Sequence, residues 1–343
     1  MNQRLATRVG RLALPNPVIC ASGEPVMTEA GIRAALRAGA AGVIAKSVNE
    51  QPGAARQLDR ADYAWLADGS LFNRSGLAQR NPTEWFAALA RIDRDASREN
   101  RFVAASIVLA TPDGAEALAR SARTAGLRVF ELNVGAPHTS EASPGAIAQE
   151  TDPARLAELV ARVRNVAGDM QLWVKLTGLS ANLPALTAAA ANAGADAVCM
   201  MGRFMAMVPD LDTLAPLLGT SAAYGGGWAL PIVCRFLALS RRAVGTDFPL
   251  LGTNGVRSGG DVARMALAGA SACEVLSLVM QQGFGAITQI IEELDTLLAE
   301  RNLNFTDLIG RAADALQAYG EQPETPDRWR DFVPDDSTCP RSH

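Results

Sequence analysis

The sequence predicts an α/β fold, a (β/α)8 TIM barrel with long loops on its active face, and two observations carry this prediction. A unit made of a helical stretch, an Ala-Gly or near variant, and a short apolar run recurs at 37–46, 123–133, 192–201 and 267–277. With four further apolar runs, eight candidate strands alternate with helical patterns over about 280 residues, and eight strands close a parallel barrel. The count therefore favours a closed barrel over an open doubly wound sheet.

Local patterns justify the elements in chain order. The apolar runs at 17–21, 102–108, 171–176 and 248–253 predict four strands, and the runs that close the repeated units predict the other four. Asp152, which precedes a proline, and Ser258 predict the N-caps of two helices. In each repeated unit a glycine fits the left-handed position that ends a helix before a strand: Gly39, Gly126, Gly194 and Gly269.

Two predicted connections are far longer than the roughly two to six residues usual in α/β units. They are 47–82, after the second strand, and 202–230, after the sixth. Because barrel enzymes carry their chemistry at the carboxyl ends of the strands, we expect these loops to bind or cover a substrate. The residues at these strand ends are polar: Ser22, Lys46, Ser47, Ser106, Asn133, Lys175 and Asn254.

Composition limits the domain count and the class of partner. The 343 residues, 48% of them hydrophobic, can bury a substantial core, and we predict a single barrel domain at 1–320 followed by an extended tail at 321–343. A pI of about 5.4 without a basic block argues against a nucleic-acid partner. Without a long apolar run, no membrane contact is expected, and we predict a cytoplasmic protein that acts on a small molecule.

The five cysteines are far apart and form no C-x-x-C pair. This spacing provides neither a zinc motif nor an iron–sulfur motif, so we expect no metal site. Free and mostly buried thiols are the expected state.

Only two of the 32 basic residues are lysines, Lys46 and Lys175, and each follows an apolar run that reads as a buried strand. An ammonium group at such a position is poor core material, which indicates a specific role. The alternative is that the placement of the two lysines arose by chance.

Three further segments carry candidate chemistry. The glycine-rich turn at 252–261, with Ser277 after the last strand, predicts a phosphate site, although a tight turn alone would look the same. His138 is the only histidine besides the terminal His343, so it is the candidate for proton transfer near neutral pH; a loop histidine that only forms hydrogen bonds is the alternative. The loop at 72–81 offers amides that can read a polar substrate, unless it is simply solvated.

The order of short motifs resembles the dihydroorotate dehydrogenase family and its dihydropyrimidine dehydrogenase relatives. The resemblance spans about residues 10–300 and includes ASG at 21–23, AKS at 45–47, N-x-x-G-L at 73–77, N-x-x-x-P at 133–137, VKL at 174–176, YGG at 224–226, NGV at 254–256 and GAS at 269–271.

This resemblance implies a (β/α)8 barrel that holds FMN at its carboxyl face. It implies that the flavin is lined by Ala21, Ser22, Gly23, Lys46, Ser47, Asn133 and Lys175. It also implies that the phosphate is surrounded by Gly226, Asn254, Gly255 and Ser277. Both lysines then lie beside the flavin, where a cation would stabilise the reduced ring. On the substrate side we expect Asn73, Arg74, Gly76, Leu77, Asn133, His138 and Arg203.

The chain departs from the family pattern at the residues that act on the substrate. Family members carry a Cys or Ser base where this chain has Ala136, and alanine cannot move a proton. Gly135 replaces the preceding serine, and Gly202, followed by Arg203, replaces a substrate-binding asparagine. We therefore expect a substrate other than dihydroorotate or a dihydropyrimidine.

The favoured function is an FMN-dependent oxidoreductase, in which His138, a loop hydroxyl or Lys46 takes the place of the missing base and an arginine, Arg74 or Arg203, pairs with a substrate anion. The alternatives are a genuine dihydroorotate or dihydropyrimidine dehydrogenase, a Schiff-base lyase or aldolase that uses Lys175, and a flavin protein that has lost turnover. The resemblance further implies a homodimer, and any electron-transfer partner would be soluble or a separate subunit.

Overall fold

The structure is a computed structural model and describes residues 3–50, 60–78, 80–108, 111–135 and 151–323. Within these residues the strands are β1 (Thr7–Val9), β2 (Leu12–Leu14), β3 (Val18–Cys20), β4 (Gly42–Ile44), β5 (Tyr63–Trp65), β6 (Leu71–Asn73), β7 (Phe102–Val108), β8 (Val129–Asn133), β9 (Gln171–Lys175), β10 (Ala197–Met200), β11 (Phe204–Ala206), β12 (Ala222–Gly225), β13 (Leu250–Thr253) and β14 (Ala270–Val275). The α-helices are α1 (Glu29–Arg37), α2 (Pro82–Ser97), α3 (Pro112–Ala125), α4 (Pro153–Ala167), α5 (Leu183–Asn192), α6 (Leu230–Val244), α7 (Gly259–Leu267), α8 (Ser277–Gln282), α9 (Gly285–Glu300) and α10 (Arg311–Asp314).

The eight predicted strands form a closed parallel barrel. Around the ring they follow chain order, as β3, β4, β7, β8, β9, β10, β13 and β14, and β14 pairs with β3 to close it. Helices α1 to α7 connect consecutive strands, which confirms the predicted (β/α)8 TIM barrel.

Alternation along the strands divides the barrel interior into layers, because every second side chain points inward. The lower layer is apolar, and Phe102 meets the edge of Trp173 with 5.0 Å between ring centroids. Two residues further along, the inward positions of five strands are polar or charged. They hold Lys46, Ser106, Glu131, Lys175 and Glu274. The barrel is thus sealed below by packed side chains and lined above by charged and hydroxyl groups.

The predicted helix boundaries correspond to observed capping interactions. Asp152 accepts a hydrogen bond from the backbone N–H of Ala154 at 2.8 Å, and Ser258 accepts one from Asp261 at 3.2 Å. The four glycines expected to end helices have φ between 90° and 116°: Gly39, Gly126, Gly194 and Gly269. This left-handed backbone favours glycine and turns the chain toward the next strand.

Both long loops contain strands that the sequence did not predict. In the described parts, β5 and β6 come from the first loop and β11 and β12 from the second, and together they form an antiparallel sheet in the order β11, β12, β6, β5. Ala223 pairs with Asn73 across this sheet. The sheet therefore ties the two loops to each other and positions Asn73.

An unpredicted hairpin of β1 and β2 adds Val9 and Leu14 to the apolar interior. No helix among the described residues is both long and apolar enough to cross a bilayer. Cys20, Cys199 and Cys273 are buried free thiols, as expected. Cys339 and most of the predicted tail, from 324 onward, lie outside the described residues.

Candidate active site

A cavity opens at the carboxyl ends of the barrel strands and is covered in part by the antiparallel sheet. It contains about 1020 Å³ of space, counted out to its mouth. The carboxyl ends of the strands are the usual place of the active site in a barrel enzyme.

Most of the predicted site residues meet at this cavity. Its walls include the predicted flavin and phosphate residues Ala21, Ser22, Lys46, Ser47, Asn133, Lys175, Asn254, Gly255 and Ser277. The predicted substrate residues in its walls are Asn73, Gly76, Leu77, Asn133 and Arg203. Gly23 and Gly226 are the immediate chain neighbours of the wall residues Glu24 and Gly225.

The structure does not bring Arg74 together with the other predicted residues. Its guanidinium Nε lies 2.5 Å from Asp62 Oδ1, and its NH1 donates to the carbonyl of Leu218 at 3.0 Å. Since successive residues of an extended chain point to opposite sides, Arg74 points away from the side on which Asn73 lines the cavity.

Two predictions fall on residues that the structure does not describe. Residues 136–150 include Ala136, at the position of the family base, and His138, the predicted proton-transfer group. The roles assigned to them stay predictions.

Lys46 forms a buried ion pair that the sequence did not reveal. Its Nζ lies 2.6 Å from Glu24 Oε1, and the lysine side chain is 4% exposed. Burial lowers the pKa of Lys46 and Arg203 adds to this, while Glu24 opposes it. Burial by itself would raise the pKa of Glu24, but Lys46 and Arg203 outweigh it and leave that pKa below its usual value. Glu24 is therefore an ionised acceptor in the cavity wall.

Arg203 extends this charged wall. Its guanidinium donates to Ser75 Oγ at 2.7 Å, and the charge of Glu24 partly offsets the cost of burying it. Ser75 also lies 3.5 Å from Lys46 Nζ. Glu24, Lys46 and Arg203 thus line the same side of the cavity.

Lys175 is held between two buried glutamates. Its Nζ donates to Glu274 and lies 3.9 Å from Glu131 Oε2. Burial alone would lower the pKa of Lys175, but the two carboxyl groups raise it above its ordinary value. A lysine kept protonated cannot attack a carbonyl carbon, which argues against the Schiff-base alternative.

A chain of serine hydroxyls crosses the cavity floor. Ser106 Oγ donates to Glu131 Oε1 at 2.8 Å and lies 2.8 Å from Ser47 Oγ, which in turn lies 3.2 Å from Ser22 Oγ. Each hydroxyl can donate and accept, so the chain links Glu131 to the cavity wall by hydrogen bonds.

The predicted phosphate turn follows β13. Asn254 and Gly255 both have positive φ, 73° and 98°, and a Cβ on Gly255 would lie 2.6 Å from the backbone nitrogen of Leu230. The side-chain amide of Asn254 donates to the carbonyl of Met201 at 2.8 Å and to that of Gly202. Asn254 therefore fastens β10 to this turn, and the N–H groups of its side chain are engaged within the protein.

These features fit FMN. Ser22, Ser47, Asn133 and Lys175 offer hydroxyl, amide and ammonium groups to the polar edge of an isoalloxazine ring. At the other end, the turn at Gly255 leaves its backbone open to a close-lying phosphate, and Ser277 provides a hydroxyl beside it.

Reasoning from the sequence missed Glu24, Ser75, Glu131 and Glu274. Glu131 and Glu274 carried a usable signal, because each interrupts an apolar run in a predicted strand. A carboxylate in a buried strand requires a partner, and Lys175 was the available cation. Glu24 and Ser75 lie in connections where a charged or polar residue is ordinary.

Comparison with known proteins agrees with this geometry. The family model described as Dihydroorotate dehydrogenase matches residues 4–298. The catalytic subunit of dihydroorotate dehydrogenase B (NAD(+)) from Pyrococcus abyssi is 32% identical over 302 residues, covering 87% of this chain and 95% of that protein. The protein of the same name from Methanocella arvoryzae is 28% identical, covering 90% and 98%. A putative dihydroorotate dehydrogenase A (fumarate) from Solibacter usitatus is 29% identical, covering 90% and 99%.

The match covers the whole barrel, including every strand that lines the cavity. The enzymes of this family bind FMN, and the cavity offers the groups that FMN requires. The chain belongs to the dihydroorotate dehydrogenase family of FMN-binding (β/α)8-barrel oxidoreductases.

Proposed function

We propose that the protein is an FMN-dependent oxidoreductase that transfers a hydride between the flavin and a small polar or anionic heterocyclic substrate other than dihydroorotate. The observation that carries this proposal is the single cavity in which the predicted flavin residues meet a wall containing Glu24, Lys46 and Arg203. When bound, FMN supplies the hydride chemistry at its N5 atom. The protein supplies binding, orientation and proton transfer.

The charges of the wall support a substrate that carries both hydrogen-bond acceptors and donors. Arg203 and Lys46 donate to an anionic or carbonyl group, whereas the ionised Glu24 accepts from an N–H or O–H group. Asn73 presents both an acceptor and donors beside them. A cyclic amide or ureide, which carries both kinds of group on one edge, matches this wall. Oxidation or reduction of a CH–CH bond next to such a carbonyl is the reaction we assign.

Proton transfer in this reaction requires a group other than the family base, since Ala136 has no proton to move. His138 and Lys46 are the two groups we propose. Lys46 is supported by its place in the cavity wall and by burial, which lowers the pKa of its ammonium group toward the working range of a proton donor. His138 is supported by being the only histidine besides the terminal one.

The absorption spectrum of the purified protein, followed by anaerobic addition of candidate substrates, tests the proposal. We expect a flavin band that persists with dihydroorotate and dihydrouracil and is lost with another cyclic amide or ureide. A colourless protein that cannot be reconstituted with FMN would contradict the cofactor assignment. Rapid loss of the band with dihydroorotate would contradict the substrate assignment.

A genuine dihydroorotate dehydrogenase is the second candidate, and the similarity to proteins of that name over about nine-tenths of the chain favours it. The Ala136→Cys variant separates the possibilities. Activity on dihydroorotate or uracil gained by this variant alone would indicate an enzyme that has lost its base. Activity already present in the unmodified protein would support the second candidate, and no gain supports a different substrate.

We also propose a cytoplasmic homodimer that exchanges electrons with a separate partner. Exposed apolar side chains, among them Leu211 and Leu214, support a protein contact near the antiparallel sheet. Relatives named as catalytic subunits support a separate electron-transfer protein. Sedimentation analysis of the purified protein, alone and after Leu211→Asp, tests the dimer; a monomer before substitution would contradict it.

A further inference from the structure

Three ionisable side chains meet across the barrel interior at the floor of the cavity. Glu131 extends from β8, Lys175 from β9 and Glu274 from β14, and the side chains of both glutamates are 0% exposed. Lys175 lies 99 residues from Glu274 in sequence and contacts it directly. Lys175 and Glu274 line the cavity, while Glu131 lies behind them.

The hydrogen bonds of this cluster leave one oxygen of each carboxyl group unpartnered. Glu131 Oε1 accepts from Ser106, and Glu274 Oε2 accepts from Lys175. Glu131 Oε2 and Glu274 Oε1 accept no hydrogen bond from any described residue. A buried carboxylate oxygen that accepts no hydrogen bond is costly. If one of these two oxygens carries a proton and donates it to the other, both oxygens gain a hydrogen-bond partner.

The charge balance of the cluster also indicates one shared proton. With both glutamates ionised, the cluster would carry one net negative charge on side chains that are at most 9% exposed, and a buried uncompensated charge is strongly unfavourable. Two carboxyl groups that share one site therefore hold a proton between them. Burial raises the pKa of Glu131 to about 8, with Glu274 adding to the rise and Lys175 opposing it.

The other titratable groups that interact electrostatically with Glu274 are thiols on three strands, Cys20, Cys199 and Cys273. Burial raises the pKa of each thiol, so all three stay neutral at physiological pH and supply no counter-charge. Lys175 is the one cation of the described residues that forms an ion pair with either glutamate.

We propose that Glu131 and Glu274 share a single proton and form, with Lys175, a neutral cluster at the edge of the FMN site that becomes anionic when this proton leaves. The serine hydroxyls of Ser106, Ser47 and Ser22 provide its hydrogen-bonded route to the cavity. The link to the flavin rests on the proposed function, whereas the shared proton does not. In this cluster the positive charge of Lys175 is compensated before it reaches the flavin.

Isotope-edited infrared spectroscopy of the full-length protein tests the shared proton directly. Labelling the side-chain carboxyl carbon of glutamate with ¹³C shifts the glutamic acid carbonyl band and separates it from flavin bands. At pH 7 we expect such a band in the unmodified protein, and we expect it to disappear as the pH rises through about 8. Glu131→Gln and Glu274→Gln should each remove it.

Glu293→Gln is the matched control, because Glu293 is a partly buried glutamate on α9 that accepts a hydrogen bond from the Gly259 N–H at 2.8 Å and is not among the residues that line the cavity. The band should survive this substitution. Absence of the band from the unmodified protein at pH 7, or its persistence in both cluster variants, overturns the proposal. Either result is obtained whether or not FMN binds.

The reduction potential of the bound flavin, measured against pH, tests the link to FMN. The unmodified protein should show a change of slope near pH 8 that is absent from Glu274→Gln, because the variant has no shared proton to release. The double variant, Glu131→Gln with Glu274→Gln, leaves Lys175 unopposed and should raise the reduction potential at every pH. Identical curves for all three proteins would refute the link while leaving the infrared result to decide the shared proton.

Discussion

Removal of one partner of the Lys46–Glu24 pair should destabilise the protein much more than removal of both. Breaking a buried ion pair costs about 3–5 kcal/mol, since the remaining charge is left uncompensated. Glu24→Gln leaves Lys46 buried and should cost about 3 kcal/mol. Lys46→Met leaves Glu24, which is 20% exposed and still close to Arg203, so we expect about 2 kcal/mol.

The double variant, Lys46→Met with Glu24→Gln, should fall within about 1 kcal/mol of the unmodified protein, because neither charge then remains unpaired. Urea unfolding at pH 7 measures the stability of all four proteins and should yield a coupling free energy of about 4–5 kcal/mol. The exposed pair Arg91–Glu29, at 3.1 Å, is the control and should couple by less than about 0.5 kcal/mol.

The stability that the Lys46–Glu24 pair contributes depends on pH in a defined direction. Since the folded pKa of Glu24 is lowered, its contribution to stability is present above the ordinary glutamate pKa and is lost as the pH falls through the lowered value. The unmodified protein should lose this contribution in acid, and the double variant should not. A coupling free energy below about 0.5 kcal/mol would refute the ion pair and, with it, the ionised acceptor assigned to the cavity wall.

Three other predictions concern the turn, the barrel exterior and the proton-transfer group. Gly255→Ala should lower the unfolding free energy by more than the roughly 1–2 kcal/mol of a left-handed alanine and should weaken FMN retention, because its Cβ would lie 2.6 Å from a backbone nitrogen. Gly283→Ala is the control, since Gly283 has a φ of 78° and no atom within 4 Å of an added Cβ. Equal losses of unfolding free energy in urea for the two variants would contradict the steric argument. Asp93→Asn should lower the unfolding free energy by about 2–3 kcal/mol, since buried Asp93 accepts two hydrogen bonds from Arg128 at 2.9 and 2.7 Å and one from the Val103 N–H. Asp95→Asn, at an exposed position, is the control and should change the unfolding free energy by under about 0.5 kcal/mol. His138→Ala should slow flavin reduction by substrate by roughly 10²–10⁴-fold in stopped-flow measurements, and an unchanged rate would leave Lys46 as the proton-transfer group.

The barrel strands were predictable because their signals are local. A buried parallel strand needs a continuous apolar run, and a helix that ends just before it needs a left-handed residue, so both features are written in adjacent residues such as those around Gly39. The sheet of β5, β6, β11 and β12 was not predictable in this way, because its short strands pair across long stretches of chain and carry no repeat of their own.

Lys46 and Lys175 could be assigned to the cavity from the sequence alone, since the carboxyl ends of parallel barrel strands meet at one face. The sequence could not show which carboxylates compensate their positive charges. Glu24, Glu131 and Glu274 neutralise them only because the barrel brings distant strands and one short connection together. Arg74 shows the converse, since a residue beside Asn73 in sequence points to the other side of the chain and pairs with Asp62.

The sequence by itself determined the architecture and the face on which the chemistry lies, because both depend on periodicity and chain order. Only the tertiary structure decided which charges oppose each other inside the barrel. Electrostatic interactions depend on distances through space between inward-facing side chains, and these distances exist only once the eight strands have closed into a ring.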